Sequence, residues 1–121
     1  MRFKFSPLNE NSDLSEFSCE EASLNDFLQR SALIDQNRSI SCTTVATKED
    51  DKLKKVVGYY TVCSTNIKPE ELPPKYSRGL PKRLVSGILL CRLARDRQFK
   101  GTSLGEELLI HSLKKCYLYS R

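Results

Sequence analysis

The chain has no tryptophan, one methionine and one histidine among its 121 residues. Without Trp, a core has to be assembled from Leu, Ile, Val, Phe and Tyr. The lone histidine, His111, falls inside a helix-spaced segment, which weighs against a Cys–His nucleophilic pair. The five cysteines, Cys19, Cys42, Cys63, Cys91 and Cys116, are odd in number and none lies close to another in sequence. A disulfide framework or a zinc cluster wants even or clustered cysteines, so the expectation is five small buried hydrophobes in a reducing compartment. No apolar run approaches the roughly 20 residues of a membrane helix. The opening segment, Met1-Arg2-Phe3-Lys4-Phe5-Ser6-Pro7, lacks the apolar stretch of a signal peptide. The expectation is a cytoplasmic chain without membrane contact. Internal repeats and low-complexity segments are absent as well.

What is present is ordinary globular composition, with 39% hydrophobic and 29% charged residues, in a length that suits one domain over residues 1–121. The net charge of +5 is unevenly placed: residues 1–50 carry −4 and residues 51–121 carry +9. A basic C-terminal half suits a polyanionic partner such as a coenzyme phosphate or RNA. A solvated surface that keeps the protein in solution explains the same excess.

Phe3 and Phe5 alternate with Arg2 and Lys4, which predicts a short strand ended by Pro7. Ala22, Leu24, Phe27, Leu28, Ala32 and Leu33 recur at helical spacing, with Ser18 and Glu21 as a capping box and a stop at residues 37–39. Residues 40–47 and 56–64 read as an antiparallel strand pair joined by a charged turn. Residues 68–83 hold four of the five prolines, Pro69, Pro73, Pro74 and Pro81, and read as a long loop. Residues 84–94 are apolar almost throughout, as a central strand covered on both faces would be. A charged turn follows, then a helix from Ser103 to about Leu118 whose apolar face is Leu104, Leu108, Leu109, Leu113, Cys116 and Tyr117. The order predicts an α/β (α+β) fold with a largely antiparallel sheet flanked by helices.

The strand–turn–helix at residues 88–113 carries chemistry. A turn that opens directly into a helix presents backbone N–H groups with no partner inside the helix, and the helix dipole adds positive charge there. The combination suits a pyrophosphate. Gly101 permits an unusual backbone angle, Gly105 removes a side chain from the first helical turn, and Lys100 and Ser103 add a charge and a hydroxyl. A generic helix start, with Ser103 and Glu106 as its capping box, explains much of the same pattern.

At these residues the sequence resembles the acetyl-CoA motif of GNAT N-acetyltransferases, Q/R-x-x-G-x-G/A after a strand ending near Ala-x-Asp. The six positions here are Lys100, Gly101, Thr102, Ser103, Leu104 and Gly105. Lys100 stands where Gln or Arg is usual, and Ser103 where Gly is usual. Lys keeps the positive charge without the planar fork. Phe17-Ser18-Cys19, Leu24-Asn25-Asp26-Phe27-Leu28, Val57-Gly58-Tyr59-Tyr60-Thr61, the Leu72-Pro73 and Leu80-Pro81 pairs, and Leu90-Cys91-Arg92-Leu93-Ala94 are similar to one subfamily, the acetyltransferase toxins of bacterial toxin–antitoxin modules. The resemblance covers roughly residues 15–120.

It implies acetyl transfer from acetyl-CoA to the amine of aminoacyl-tRNA, stalled translation, and a ribbon–helix–helix antitoxin as partner; a homodimer is expected too. The main chain of Leu93, Ala94 and Arg95 would bind the pantetheine arm like an added strand, and Lys100 to Gly105 would cradle the pyrophosphate. Arg92, Lys75, Arg78, Lys82 and Arg83 would face RNA, each of them equally readable as a solvated charge. The family continues past this helix with strands that wall the pantetheine slot and a Tyr that protonates the departing thiolate. The sequence reaches Arg121 directly after the helix, so the expectation is a chain that stops before that region. Tyr117 and Tyr119 do not match the Tyr motif, and no catalytic residue transfers. Two alternatives stand beside the toxin reading: an inactive GNAT remnant acting through protein contacts, and a GNAT enzyme of protein or small-molecule amines.

Overall fold

The computed structural model describes residues 2–67 and 85–120. Four strands, β1 (Phe3–Pro7), β2 (Cys42–Lys48), β3 (Val56–Ile67) and β4 (Val85–Arg95), form one sheet in the order β1-β2-β3-β4. Every neighbouring pair is antiparallel. Three helical pieces run on from one another on one face: α1 (Ala22–Asp26), a π turn (Phe27–Ser31) and α2 (Ala32–Asn37). A single-turn 3-10 helix (Arg97–Phe99) leads to α3 (Leu104–Ser120) on the other face.

The alternation of side chains along each strand separates two cores. Tyr59, Val45, Val56 and Ala94 pack against Phe17, Phe27, Leu28 and Ala32. Tyr60, Ala46, Val57 and Val62 pack against Leu104 and Leu108 of α3, with Phe3 beside them. β1 forms where Phe3 and Phe5 alternate with charge, and Pro7, which has no N–H to donate, sits at its end. The π turn has a packing consequence. Ala32 N–H bonds to Phe27 O, five residues back, so Phe27 and Ala32 enter the same core one residue further apart than in an α-helix.

Several expectations change. Among the described residues β4 pairs with β3 alone and stands at the edge of the sheet, where the sequence predicts a central strand. Cys63 and Cys91 are disulfide-bonded across these two strands, and Cys19, Cys42 and Cys116 are free. Cys91 is the extra residue of a bulge: Thr61 faces Arg92 and Val62 faces Leu90. Ser18 does not cap the first helix, whose N-cap is Glu21 without a side-chain bond. The face that α3 buries is Leu104, Leu108 and Ser112, while Leu109, Ile110 and Leu113 are exposed. Ser112 tolerates burial because its hydroxyl donates to Leu109 O at 2.7 Å. No described helix is long and apolar enough to cross a membrane. The proline-rich loop, with Lys75, Arg78, Lys82 and Arg83, lies outside the described residues.

Candidate functional site

The site is built where β4 ends. Asp96 N–H donates to Val57 O at 2.8 Å, and an antiparallel ladder alternates bonded and non-bonded residues. The alternation turns the main-chain groups of Leu93 and Arg95 away from β3, toward the edge that no described strand covers. Leu93 and Arg95 therefore present extended-backbone groups to whatever lies beside them. The Leu93 side chain joins the α3 core and Ala94 joins the opposite one. Opposite Arg95 on β3 is Gly58. A methyl group there would come 2.9 Å from Leu108 Cδ1 and 3.3 Å from Ala94 O. The missing side chain is what lets α3 lie close against the end of β4.

Asp96 organises the turn. Its Oδ1 accepts from Gln98 N–H at 2.9 Å and caps the 3-10 turn. Its Oδ2 accepts from Ser18 N–H at 3.0 Å, across 78 positions of sequence. Arg97 N–H returns a bond to Ser18 O at 3.0 Å. The carboxylate thus ties the segment before α1 to the turn before α3. Two further bonds fix that segment: Cys19 N–H donates to Asn25 Oδ1 at 2.8 Å, and Asn25 Nδ2 donates to Cys19 O at 3.1 Å.

Gly101 takes φ +83 with open space around it, a conformation that favours glycine. The Thr102 hydroxyl donates to Phe99 O at 2.6 Å and accepts from Leu104 N–H at 3.3 Å. Ser103 O accepts the first helical bond, from Glu107 N–H at 3.0 Å. Its hydroxyl pairs with Glu107 Oε2 at 2.6 Å rather than with Glu106. Leu104 is fully buried. Of the six turn positions singled out in the sequence, Lys100 and Gly105 line one cavity; Thr102, Ser103 and Leu104 shape the helix start behind them.

That cavity holds about 370 Å³ and runs between the end of β4, the turn, and the start of α1. Leu93, Ala94, Arg95, Arg97, Lys100 and Gly105 line one side, and Cys19, Glu20, Glu21 and Leu24 the other. Sequence reasoning missed the second side and Arg97. Phe17-Ser18-Cys19 carried part of the resemblance, but nothing local in it points to Asp96. Lys100 Nζ forms an ion pair with Glu20 Oε1 at 3.1 Å, in an exposed position. Arg95 reaches across Gly105: a methyl group there would meet Arg95 Nη1 at 3.1 Å. An electropositive helix start, three cations and an open strand edge line one concave surface, which suits an elongated ligand with an anionic end.

Arg92, expected to face RNA, lays its guanidinium over the Phe27 ring at 3.8 Å from the centroid. Tyr59, buried beside it, donates its hydroxyl to Leu24 O at 2.7 Å, and burial pushes its phenol pKa up. On the α3 face, His111 Nδ1 and Tyr60 Oη lie 2.6 Å apart, and the imidazole stacks on Phe5. Burial first, then Lys115 and Lys114, hold the imidazole pKa below its ordinary 6.5. Among the described residues no group of His, Cys, Asp and Glu is placed to hold a metal ion.

No family model matches the chain. A tRNA-acetylating toxin of Mycobacterium tuberculosis is similar to it, at 32% identity over 109 residues that take in 90% of this chain and 63% of the toxin. The chain thus spans less than two thirds of that relative's length. Among solved structures, AtaTR bound with AcCoA matches with a TM-score of 0.81 at 26% identity, over 97% of this chain and 69% of the other. AtaT complexed with acetyl-methionyl-tRNAfMet matches with a TM-score of 0.76 at 25% identity, over 93% and 68%. A KacT mutant at 22% identity, with a TM-score of 0.81, repeats the fold.

Proposed function

We infer that this chain, a homologue of the GNAT-like toxin acetyltransferases, binds acetyl-CoA in the cavity beside β4 and serves acetyl transfer to the amine of aminoacyl-tRNA. The observation that carries the reading is the convergence of the open Leu93–Arg95 main chain, the side-chain-free Gly105 and the cations Arg95, Arg97 and Lys100 on one cavity. These residues fit the coenzyme. A pantetheine arm carries amide groups that pair with an extended strand edge, and its diphosphate suits the start of α3. Arg92 and the basic residues Lys75, Arg78, Lys82 and Arg83 stay candidates for the RNA, and the C-terminus of a ribbon–helix–helix antitoxin is the proposed protein partner.

When bound, acetyl-CoA supplies an activated acetyl thioester. In the transfer, the amine nitrogen would bond to the acetyl carbon, the carbon–sulfur bond would break to release the coenzyme as its thiolate, and the proton lost by the amine would pass through solvent to that sulfur, leaving the free thiol. The contribution assigned to this chain is positional. The β4 edge aligns the arm, and a main-chain N–H near Leu93 is placed to stabilise the carbonyl oxygen as it gains charge. The Asp96 carboxylate keeps the Ser18–Glu21 wall at its distance from β4.

The test is incubation of the chain with radiolabelled acetyl-CoA and, in parallel, aminoacyl-tRNA, uncharged tRNA and a peptide with a free amine. Label on aminoacyl-tRNA alone supports the reading. Label on the peptide in preference to the tRNA redirects it to protein amines. The absence of label from a folded chain that binds acetyl-CoA leaves a coenzyme-binding protein without transfer activity.

A further inference from the structure

Two cations flank the first turn of α3, and the structure treats them differently. Lys100, at the motif position where a diphosphate-binding side chain is expected, is two-thirds exposed and already paired with Glu20. An anion that uses Lys100 has to displace that carboxylate, and a flexible ammonium in water holds phosphate weakly. Arg95 comes from β4. It is half-buried, lines the same cavity, and crosses the bare backbone of Gly105. Among the described residues no salt bridge engages it.

We propose that the Arg95 guanidinium, not the Lys100 ammonium, is the side chain that grips the diphosphate of the bound nucleotide coenzyme, with Glu20 as a built-in competitor at Lys100. The proposal rests on the coenzyme reading above. A guanidinium offers two parallel N–H donors to two phosphate oxygens, a geometry that an ammonium does not provide. Its place against the helix start adds the unpaired N–H groups of α3 to the same anion. Gly105 then has a second role: it is bare because Arg95 lies on it, and a side chain there displaces the guanidinium. The resemblance assigns Arg95 through its main chain only; its side chain adds a contact from the strand to a cradle otherwise made by the turn.

The experiment is equilibrium dialysis of the wild-type chain and four variants, Arg95→Gln, Arg95→Lys, Lys100→Gln and Glu20→Gln, against acetyl-CoA and against S-acetylpantetheine, which has no phosphate. Circular dichroism and melting curves show that each variant folds. The expected result is a loss on the order of tenfold or more in acetyl-CoA affinity for Arg95→Gln, in line with a charge-assisted bond. Arg95→Lys is expected between it and wild type. Lys100→Gln is expected within about threefold of wild type, and Glu20→Gln at or slightly above wild-type affinity. S-acetylpantetheine binding is expected to be the same in all. Wild-type binding of acetyl-CoA with Arg95→Gln within twofold, or with Lys100→Gln the more damaging change, overturns the proposal and leaves the coenzyme reading standing. Equal loss for both ligands in Arg95→Gln overturns it too, because that marks a structural role. A folded wild type that binds neither ligand overturns both readings.

Discussion

Replacing Gly58 by alanine forces a methyl group into the place where α3 meets the sheet. Its carbon would lie 2.9 Å from Leu108 Cδ1, 3.3 Å from Ala94 O and 3.4 Å from Leu104 Cδ2. An ordinary carbon–carbon contact is about 3.5–4.0 Å, so the first of these is short by at least half an ångström. Leu104 and Leu108 are both fully buried, and the remaining neighbour, Ala94 O, is backbone, so nothing nearby gives way cheaply. The expected cost is about 1–3 kcal/mol, the range for overpacking a well-filled core. For a domain of this size that corresponds to a fall in melting temperature of about 4–12 °C. Relief has to come from α3 moving away from β4, which also widens the cavity, so acetyl-CoA affinity falls with stability. Gly105→Ala is the control. Its methyl group meets the flexible end of Arg95, not backbone, so stability changes by less than about 1 kcal/mol while affinity drops. Thermal melts and binding titrations of both variants decide. A Gly58→Ala chain that melts within a degree of wild type refutes the packing argument, and equal destabilisation by both variants refutes the distinction between them.

Thr43 and Thr61, both fully buried, share a hydroxyl pair at 2.7 Å across β2 and β3. Thr43→Val leaves the other hydroxyl without its partner and is expected to cost about 1–3 kcal/mol, with the double valine variant recovering much of it; additive losses in urea melts contradict this. His111 has a folded-state pKa below 6.5, so the unfolded chain binds the extra proton first and stability is lost as pH falls through and below that value. Melting temperatures from pH 7.5 downward are expected to fall more steeply for wild type than for His111→Gln, and parallel curves count against it. Asp96→Ala removes acceptors from both Ser18 N–H and Gln98 N–H. It is expected to lower stability and weaken acetyl-CoA binding together, with Asp96→Asn between it and wild type; unchanged affinity shows that the far wall does not depend on this bond.

Local pattern reaches some of these features and not others. The alternation at Phe3 and Phe5, the apolar run ending at Ala94 and the glycines at 101 and 105 each report on neighbours a few positions away, and the strands and the turn lie close to where they predict. Ser18 looked like a helix cap because Glu21 follows it at the right spacing. Its actual partner, Asp96, is 78 residues distant, and no local rule contains that contact. α3 shows the limit of periodicity. Leu109 and Leu113 fit an apolar stripe, yet the sheet takes the row Leu104, Leu108 and Ser112, because Gly58 opens a groove for that row. Arg92 reads as an RNA-facing or solvated charge; its stacking on the Phe27 ring is a further contact that no local pattern contains. Cys63 and Cys91 meet through a bulge in strand register, a displacement that composition does not reveal.

The most direct test of the account is a calorimetric titration of the purified 121-residue chain with acetyl-CoA, with the fold checked by circular dichroism in the same buffer. The account predicts saturable one-to-one binding that weakens as salt rises, since the cavity meets the diphosphate with the Arg95 guanidinium and the start of α3. A folded chain that gives no binding heat at any salt concentration or temperature tried would contradict it.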